Sequence, residues 1–335
     1  MATIFSRKNI VALLMLFAIL LPLVTTNVYY LHILTLGFIW TIAVYGLNLI
    51  GGYTGQLSLA HAGFFAIGAY SAGLLMIRAE LNFWLALIIS CIITMIIGFL
   101  VGLIALRTKE HFFAIYTLCV GYIIYLLIYK WESLTEGVRG LIGIPVPNPI
   151  GPITFDTPKA QYYLVLFFLV LSIVLMKQIV NSLSGRTYVA IRNSEELAQT
   201  IGIDTMKHKL VAFVLSTFFA GLAGVLYAVF VRFIGPDIAY TNVTFDLLMY
   251  LLVGGIGTIS GPLIGTLLVV WLTQSLQALQ DYRMIIFGPL LVILIIYYPR
   301  GIVGAIQTWR EKRAAKKTEA PIIPKIQPAS VEEEK

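Results

Sequence analysis

Apolar residues in this chain come in long unbroken runs, not at the spacing of an amphipathic helix or the alternation of a half-buried strand. The runs at 28–50 and 83–106 each hold the roughly 20 apolar residues that cross a bilayer as a helix. Similar runs lie at 10–24, 57–77, 112–129, 162–176 and 210–231, with a shorter one at 245–253 and two more at about 262–279 and 284–298. Between them fall a glycine-rich break at 51–56, a Pro- and Gly-rich stretch at 130–161, a polar connection at 177–209 and a second glycine cluster at 254–261. The pattern predicts an all-α, polytopic integral membrane protein of about ten transmembrane helices, or eight to ten if the short run and glycine clusters are broken or re-entrant. The first run follows Arg7 and Lys8 as in a signal peptide, but Thr25, Thr26 and Asn27 supply no small-x-small cleavage site, so a retained first span is expected.

Composition supports lipid as the solvent. Of 335 residues, 59% are hydrophobic and 12% charged, against about 45–50% and 25% in soluble domains. Disorder, a disulfide scaffold and a membrane barrel are excluded on these grounds. Cys91 and Cys119 sit inside apolar runs with no CxxC spacing, as small core or lipid-facing residues. The net charge of +7 does not indicate nucleic acid, because the basic residues gather at loops and in the C-terminal tail. In a ten-span layout with a cytoplasmic N-terminus, seventeen of the 23 Lys and Arg fall on the inner side, as the positive-inside rule requires. Both termini are then cytoplasmic, 130–161 is an extracytoplasmic loop, and 306–335 is a largely disordered cytoplasmic tail.

Candidate chemistry is sparse. His32, His61, His111 and His208 are isolated, and neither HExxH, GxSxG nor GxxxxGK[ST] occurs. No catalytic residue, metal site or directly bound cofactor is expected. Glu195 and Glu196 lie in a polar connection, while Glu80 and Asp246 read as solvated carboxylates near span ends. An ion-coupled secondary transporter therefore lacks the buried ionisable groups it normally carries.

Two other patterns are informative. Ala62, Ala66, Ala69 and Gly73 share one helical face, and Ala220, Gly221, Gly224 and Ala228, with the Gly98/Gly102 pair, make further small-residue seams where helices approach closely. Within 177–209, Asn193 and Glu196 have the spacing of an N-terminal capping pair, and Gly202 can end the helix in the left-handed conformation. Leu197, Ala198 and Ile201 would form its apolar face, and Arg186 and Arg192 would anchor its ends by charge.

The stretch from Gly52 through Gly55, Gln56, Ser58, His61, Ala62, Ala66 and Ala69 to Tyr70 strongly resembles the signature of permeases in branched-chain amino-acid ABC importers, the LivH/LivM family. Glu196, Ala198 and Gly202, in the spacing E-x-A-x3-G, resemble that family's cytoplasmic coupling loop. So do Gly185-Arg186, Arg192, and Lys209 to Phe213; Gly140 to Pro145, Gly254 to Gly257, Gly261-Pro262 and Tyr298 to Gly301 resemble other family motifs. The likeness covers most of residues 40–305 and is nearest the M-type subunit. It departs at Ala60, at Thr108 to His111 and in the tail after Trp309.

The resemblance implies a permease domain over 1–305 in a bacterial plasma (inner) membrane. Its implied partners are a homologous permease subunit, two cytoplasmic ATP-binding subunits that hold the ATP, an extracytoplasmic substrate-binding protein and membrane lipid. Arg186, Arg192, Glu196, Leu197, Ala198, Ile201 and Gly202 are the implied ATPase-coupling residues. Gly52, Gly55, Gln56, Ser58, His61, Ala62, Ala66 and Ala69 are the implied translocation-path residues, with a hydrogen-bonded structural role favoured for His61. Branched-chain amino acids are the leading cargo; urea or short-chain amides are the alternative.

Overall fold

The computed structural model describes residues 18–23, 27–108, 110–152, 154–275 and 301–304. Most of the expected first span, the last span at 284–298 and the tail at 306–335 lie outside these residues. Five described helices are long and apolar enough to cross a membrane: Val28–Tyr53, Phe83–Ala105, His111–Lys130, Pro158–Asn181 and Thr205–Val231. Three apolar helices are shorter: His61–Ile77, Thr241–Gly254 and Gly261–Gln274.

In chain order, α1 is Val28–Leu47, continued without a break by a π-helical turn, Asn48–Tyr53. An irregular stretch, 54–60, leads into α2, His61–Ile77. Helices α3 (Phe83–Ala105) and α4 (Glu110–Lys130) follow. A four-residue α5 (Glu132–Thr135) and strand β1 (Leu141–Ile142) precede α6 (Pro158–Asn181). Two polar helices, α7 (Leu183–Asn193) and α8 (Glu195–Thr200), lead to α9 (Thr205–Val231). Strand β2 (Phe233–Ile234), α10 (Thr241–Gly254) and α11 (Gly261–Ser275) complete the order.

Helices α1 and α9 form the centre. In α1, 83% of the most apolar stretch is buried, against 28% in α3 and in α4. The outer pair instead presents ridges of Leu and Ile, such as Leu85, Ile88, Ile92 and Ile96 on α3, a face that only lipid or another subunit can cover. Small residues set the inner packing. A Cβ on Gly68 of α2 would collide with the Gly221 backbone of α9, and one on Gly224 would collide with the Phe65 carbonyl of α2. Gly98 and Gly102 of α3 meet the side chains of Thr217 and Phe213 of α9. Buried hydroxyls bond back along their own helices: Thr35 to the Leu31 carbonyl and Thr41 to the Gly37 carbonyl at 2.7 Å, Thr94 to the Ser90 carbonyl at 2.8 Å. Each is thereby satisfied without water.

The loops sort to two ends. At one, β1 pairs antiparallel with β2, Leu141 opposite Ile234, and Tyr70 Oη donates to the Ile234 carbonyl at 3.2 Å. Arg78 Nη1 donates to the Ser133 carbonyl at 2.8 Å, and Asn148 Oδ1 accepts from the Phe83 N–H at 2.9 Å. At the other end lie the π-helical turn, α7, α8 and the connection between α10 and α11.

Three expectations need correcting. Gly51 and Gly52 do not break α1; they are helical, and Gly52 is needed because a Cβ would strike Asn48 and, at 2.7 Å, the Gly257 nitrogen. The next helix starts at His61, not Leu57. The connection 177–209 holds two helices instead of one, because Leu183, Tyr188 and Ile191 give α7 an apolar side, with Tyr188 and Ile191 buried.

Candidate functional site

The geometry joins the two segments that the sequence singles out separately. Helix α7 ends at Asn193, and the Arg192 guanidinium donates to the Gly52 carbonyl at 2.5 Å. Its Nη1 also lies 2.7 Å from where a Cβ on Gly257 would stand, and its Cγ 3.2 Å from one on Gly55. Both glycines have positive φ, +78° and +71° for Gly55 and Gly257, so a side chain there is excluded by conformation as well as by space. Asn48 completes the joint: its Nδ2 donates to the Thr258 carbonyl and its Oδ1 accepts from the Gly257 N–H, both at 2.8 Å. Tyr45 Oη donates to the Ile259 carbonyl at 2.8 Å. Thus the π-helical turn, the end of α7 and the glycine cluster at 254–261 form one polar node. A guanidinium bonded to a backbone carbonyl is a charge-assisted contact, stronger than a neutral one. Arg192 is expected to anchor an end of the coupling helix by charge, and here its guanidinium holds a backbone carbonyl. Arg186 stands exposed on α7.

Helix α8 follows directly. Its N-cap is Ser194, whose Oγ accepts from the Leu197 N–H at 3.2 Å, so the expected cap at Asn193 is displaced by one residue. Asn193 closes α7 instead, because the backbone turns at Ser194, in extended conformation. The stop is as the sequence indicates: Gly202 has φ +86°, its N–H donates to the Gln199 carbonyl at 3.0 Å, and Ile203 N–H donates to Ala198 O at 3.1 Å. These paired bonds are a Schellman motif. Ala198 is buried within the chain, whereas Leu197 and Ile201 are 64% and 68% exposed. The predicted apolar face of three is therefore split: Ala198 seats the helix, and Leu197 and Ile201 face outward. Glu196 is also exposed. The carboxylate that acts structurally is its neighbour Glu195, ion-paired with the buried Lys209 of α9. Burial of that lysine requires such a partner, and nothing in the spacing of two adjacent glutamates favours one over the other.

Near mid-depth, the irregular stretch 54–60 brings non-helical backbone into the bundle. Ala60 and the Leu59 carbonyl lie 3.1 and 3.3 Å from where a Cβ on Gly121 would stand, midway along α4. Such backbone is tolerated inside a membrane only when protein satisfies its polar groups. Here side chains of two other helices serve the end of the stretch and the first turn of α2. Thr117 Oγ1 of α4 accepts from the Leu59 N–H at 3.0 Å, and Thr244 Oγ1 of α10 accepts from the Ala62 N–H at 3.2 Å. Gln56 N–H donates to the Ile50 carbonyl at 3.0 Å. Gln56, Ser58, Ala62, Ala66 and Ala69 are all buried. Among the glycines of α2, the tightest approach to another helix is made by Gly68, between Ala66 and Ala69. His61, the first residue of α2, is fully buried, edge-on to Phe64 at 6.4 Å. The Ser58 backbone lies close to its ring, with no fully formed hydrogen bond to either nitrogen among the described residues.

The family described as branched-chain amino acid transport system / permease component matches residues 29–295. The high-affinity branched-chain amino acid transport system permease protein LivM of Escherichia coli is 29% identical over 293 residues, which cover 81% of this chain and 69% of that protein. LivH of Salmonella typhimurium is 26% identical over 289 residues, covering 81% and 92% respectively. A probable LivM of Methanocaldococcus jannaschii is 25% identical over 238 residues, covering 65% and 68%. No solved structure matches.

Proposed function

Because the chain belongs to the branched-chain amino acid transport system permease family, we propose that it imports branched-chain amino acids as the membrane subunit of an ABC transporter. It lies multi-pass in a bacterial inner membrane with both termini cytoplasmic, residues 1–305 being the permease domain and 306–335 a cytoplasmic tail. A homologous permease subunit completes the translocation path. Two cytoplasmic ATP-binding subunits hold the ATP, since this chain has no GxxxxGK[ST] sequence, and an extracytoplasmic binding protein delivers the cargo.

The bond from Arg192 to the Gly52 carbonyl carries this reading. A permease must turn movement of an ATPase outside the membrane into movement of its spans. Leu197 and Ile201 offer the ATPase an exposed apolar contact, and burying two such side chains is worth a few kcal/mol, at about 1.5–3 kcal/mol each. The Glu195–Lys209 pair and the Schellman turn hold α8 to the start of α9. Arg192 then passes the displacement to the π-helical turn of α1 and to the glycine cluster between α10 and α11. From that turn the chain runs through 54–60 directly to His61 and the start of α2.

The test is Arg192→Gln in the reconstituted complex of both permeases, both ATPases and the binding protein. ATP hydrolysis is expected to persist while ATP-driven leucine uptake falls at least tenfold. Uptake and hydrolysis both equal to those of the unmodified complex would remove Arg192 from the coupling route. Urea and acetamide uptake by the unmodified complex separates the two cargo readings.

A further inference from the structure

Three tyrosines, Tyr122, Tyr125 and Tyr129, follow one another down one face of α4 at spacings of three and four. Their ring centroids are 5.8 and 5.7 Å apart in that order. Tyr240, the residue before α10, sets its ring across Tyr125 at 5.1 Å and 64°. The row spans about 10 Å along α4, at 1.5 Å per residue. It starts beside Lys130, at the end of the bundle that carries β1 and β2, and reaches inward to Tyr122, next to the Gly121 against which Ala60 packs. Tyr240 in turn stands one helical turn before Thr244, which holds the first turn of α2. Four rings thus lead from one end of the bundle to the irregular stretch at mid-depth.

Tyrosines near a membrane surface commonly serve as interfacial anchors. Anchoring asks only for rings spread round the circumference; these four converge, and a carboxylate stands among them. Asp237, exposed on the 3-10 turn Pro236–Ala239, lies within electrostatic reach of the Tyr125 and Tyr70 hydroxyls. Among the described residues no ion pair and no side-chain hydrogen bond occupies its carboxylate. Tyr122 and Tyr240 are 46% and 41% exposed, which leaves ring surface open to a ligand. A cation within about 6 Å of a tyrosine ring centroid is attracted by the π face, more strongly where water is partly excluded. The row already holds one such cation, since Lys130 Nζ lies 5.7 Å from the Tyr129 centroid. Among the described residues none stands over the other three rings.

We propose that Tyr122, Tyr125, Tyr240 and Asp237 form a receiving site for an alkylammonium group, the first station of the cargo's amino group between the outer surface and the start of α2. That the cargo is an amino acid, and that this end faces outward, rests on the function proposed above. The rings attract the positive charge and the carboxylate neutralises it, so a neutral molecule of the same shape is refused. A soluble amino acid and an ethanolamine headgroup both carry such a group. Continuation of the row inward to Gly121 and Thr244 points to the amino acid.

For the test, the complex of both permeases and both ATPases, with 3-fluorotyrosine in this chain, is placed in phosphatidylglycerol nanodiscs. It is titrated with 3-methylbutylamine, its neutral counterpart 3-methylbutanol, and leucine. The fluorine resonances of Tyr122, Tyr125 and Tyr240, identified by replacing each with phenylalanine, are expected to shift saturably with the amine and with leucine. The alcohol should bind at least tenfold more weakly. Asp237→Asn should weaken the amine at least tenfold, and Tyr240→Leu at least threefold. Tyr240→Phe should retain it, because the ring stays and the lost hydroxyl makes no hydrogen bond among the described residues. Equal binding of the alcohol, or amine affinity unchanged in Asp237→Asn, would overturn the site and leave the tyrosines as interfacial anchors. A shift produced by phosphatidylethanolamine alone, and not reversed by leucine, would overturn the assignment to cargo and give the site to a lipid headgroup. A full complex that drives uptake of urea but not leucine would instead refute the cargo reading, and amine binding with its loss in Asp237→Asn would still decide the site.

Discussion

Helices α2 and α3 are neighbours in sequence and both meet α9, yet they solve the membrane problem in opposite ways. Helix α3 is a continuous 23-residue span whose outward side is Leu, Ile and Phe. Helix α2 has 17 residues, begins inside the bundle, and is almost wholly buried against α9, α4 and α10. The difference teaches what each sequence must specify. A lipid-facing ridge needs only to be apolar, because lipid tails are as apolar as leucine and fit any shape. A helix that starts at mid-depth needs small residues at fixed positions and named donors and acceptors for its first turn.

Substitutions can break that contrast, and the largest effect is expected where backbone meets backbone. Gly224→Leu would force a side chain into the Phe65 carbonyl and to within 2.9 Å of the Ala69 nitrogen. Overpacking typically costs about 1–3 kcal/mol, with backbone contacts at the upper end. The variant should lose most of its folded, detergent-stable population, as read by size-exclusion chromatography of a fluorescent fusion; an unshifted profile would mean that α2 and α9 are not packed this way. Next comes Thr244→Val, which keeps the shape but leaves the Ala62 N–H without its acceptor. An unsatisfied buried donor costs roughly 1–3 kcal/mol, so the melting temperature should fall by several degrees, and amide exchange at the start of α2 should quicken. The smallest effect is expected for Ile96→Ala on α3, 54% exposed. Exchanging one lipid-facing apolar group for a smaller one should change stability by no more than about 0.5 kcal/mol. A drop comparable to that of Thr244→Val would show that another protein chain, not lipid, covers this ridge.

What could be read from the sequence follows the same division. Long spans such as α3 and α9 are visible because their signal is bulk apolarity, and the seams of Gly221, Gly224, Gly98 and Gly102 are visible because small residues recur at helical spacing. Which helix each seam meets depends on topology and is not written locally. Gly51 and Gly52 look like a helix break, since glycine lowers helix propensity by about 1 kcal/mol; close approach to Asn48 and Gly257 overrides that tendency. Helix α7 is hidden because the Ser-Gly-Arg-Thr stretch at 184–187 reads as loop, and only burial of Tyr188 and Ile191 gives it a side to fold on. The complete burial of His61 depends on several elements meeting, and no spacing along the chain encodes it.

The two-residue ladder between β1 and β2 has a mechanical meaning. It ties the 130–161 loop to the exit of α9, with Tyr70 adding a bond to the same strand, and so fastens one end of a long rod. Helix α9 has 27 residues and is about 40 Å long at 1.5 Å per residue. Rotation by roughly ten degrees about that end would sweep the far end through about 7 Å, more than one 5.4 Å helical turn. With that end fastened, a given tilt would displace Lys209 and Glu195 more than it displaces Gly221, which lies nearer the clasp.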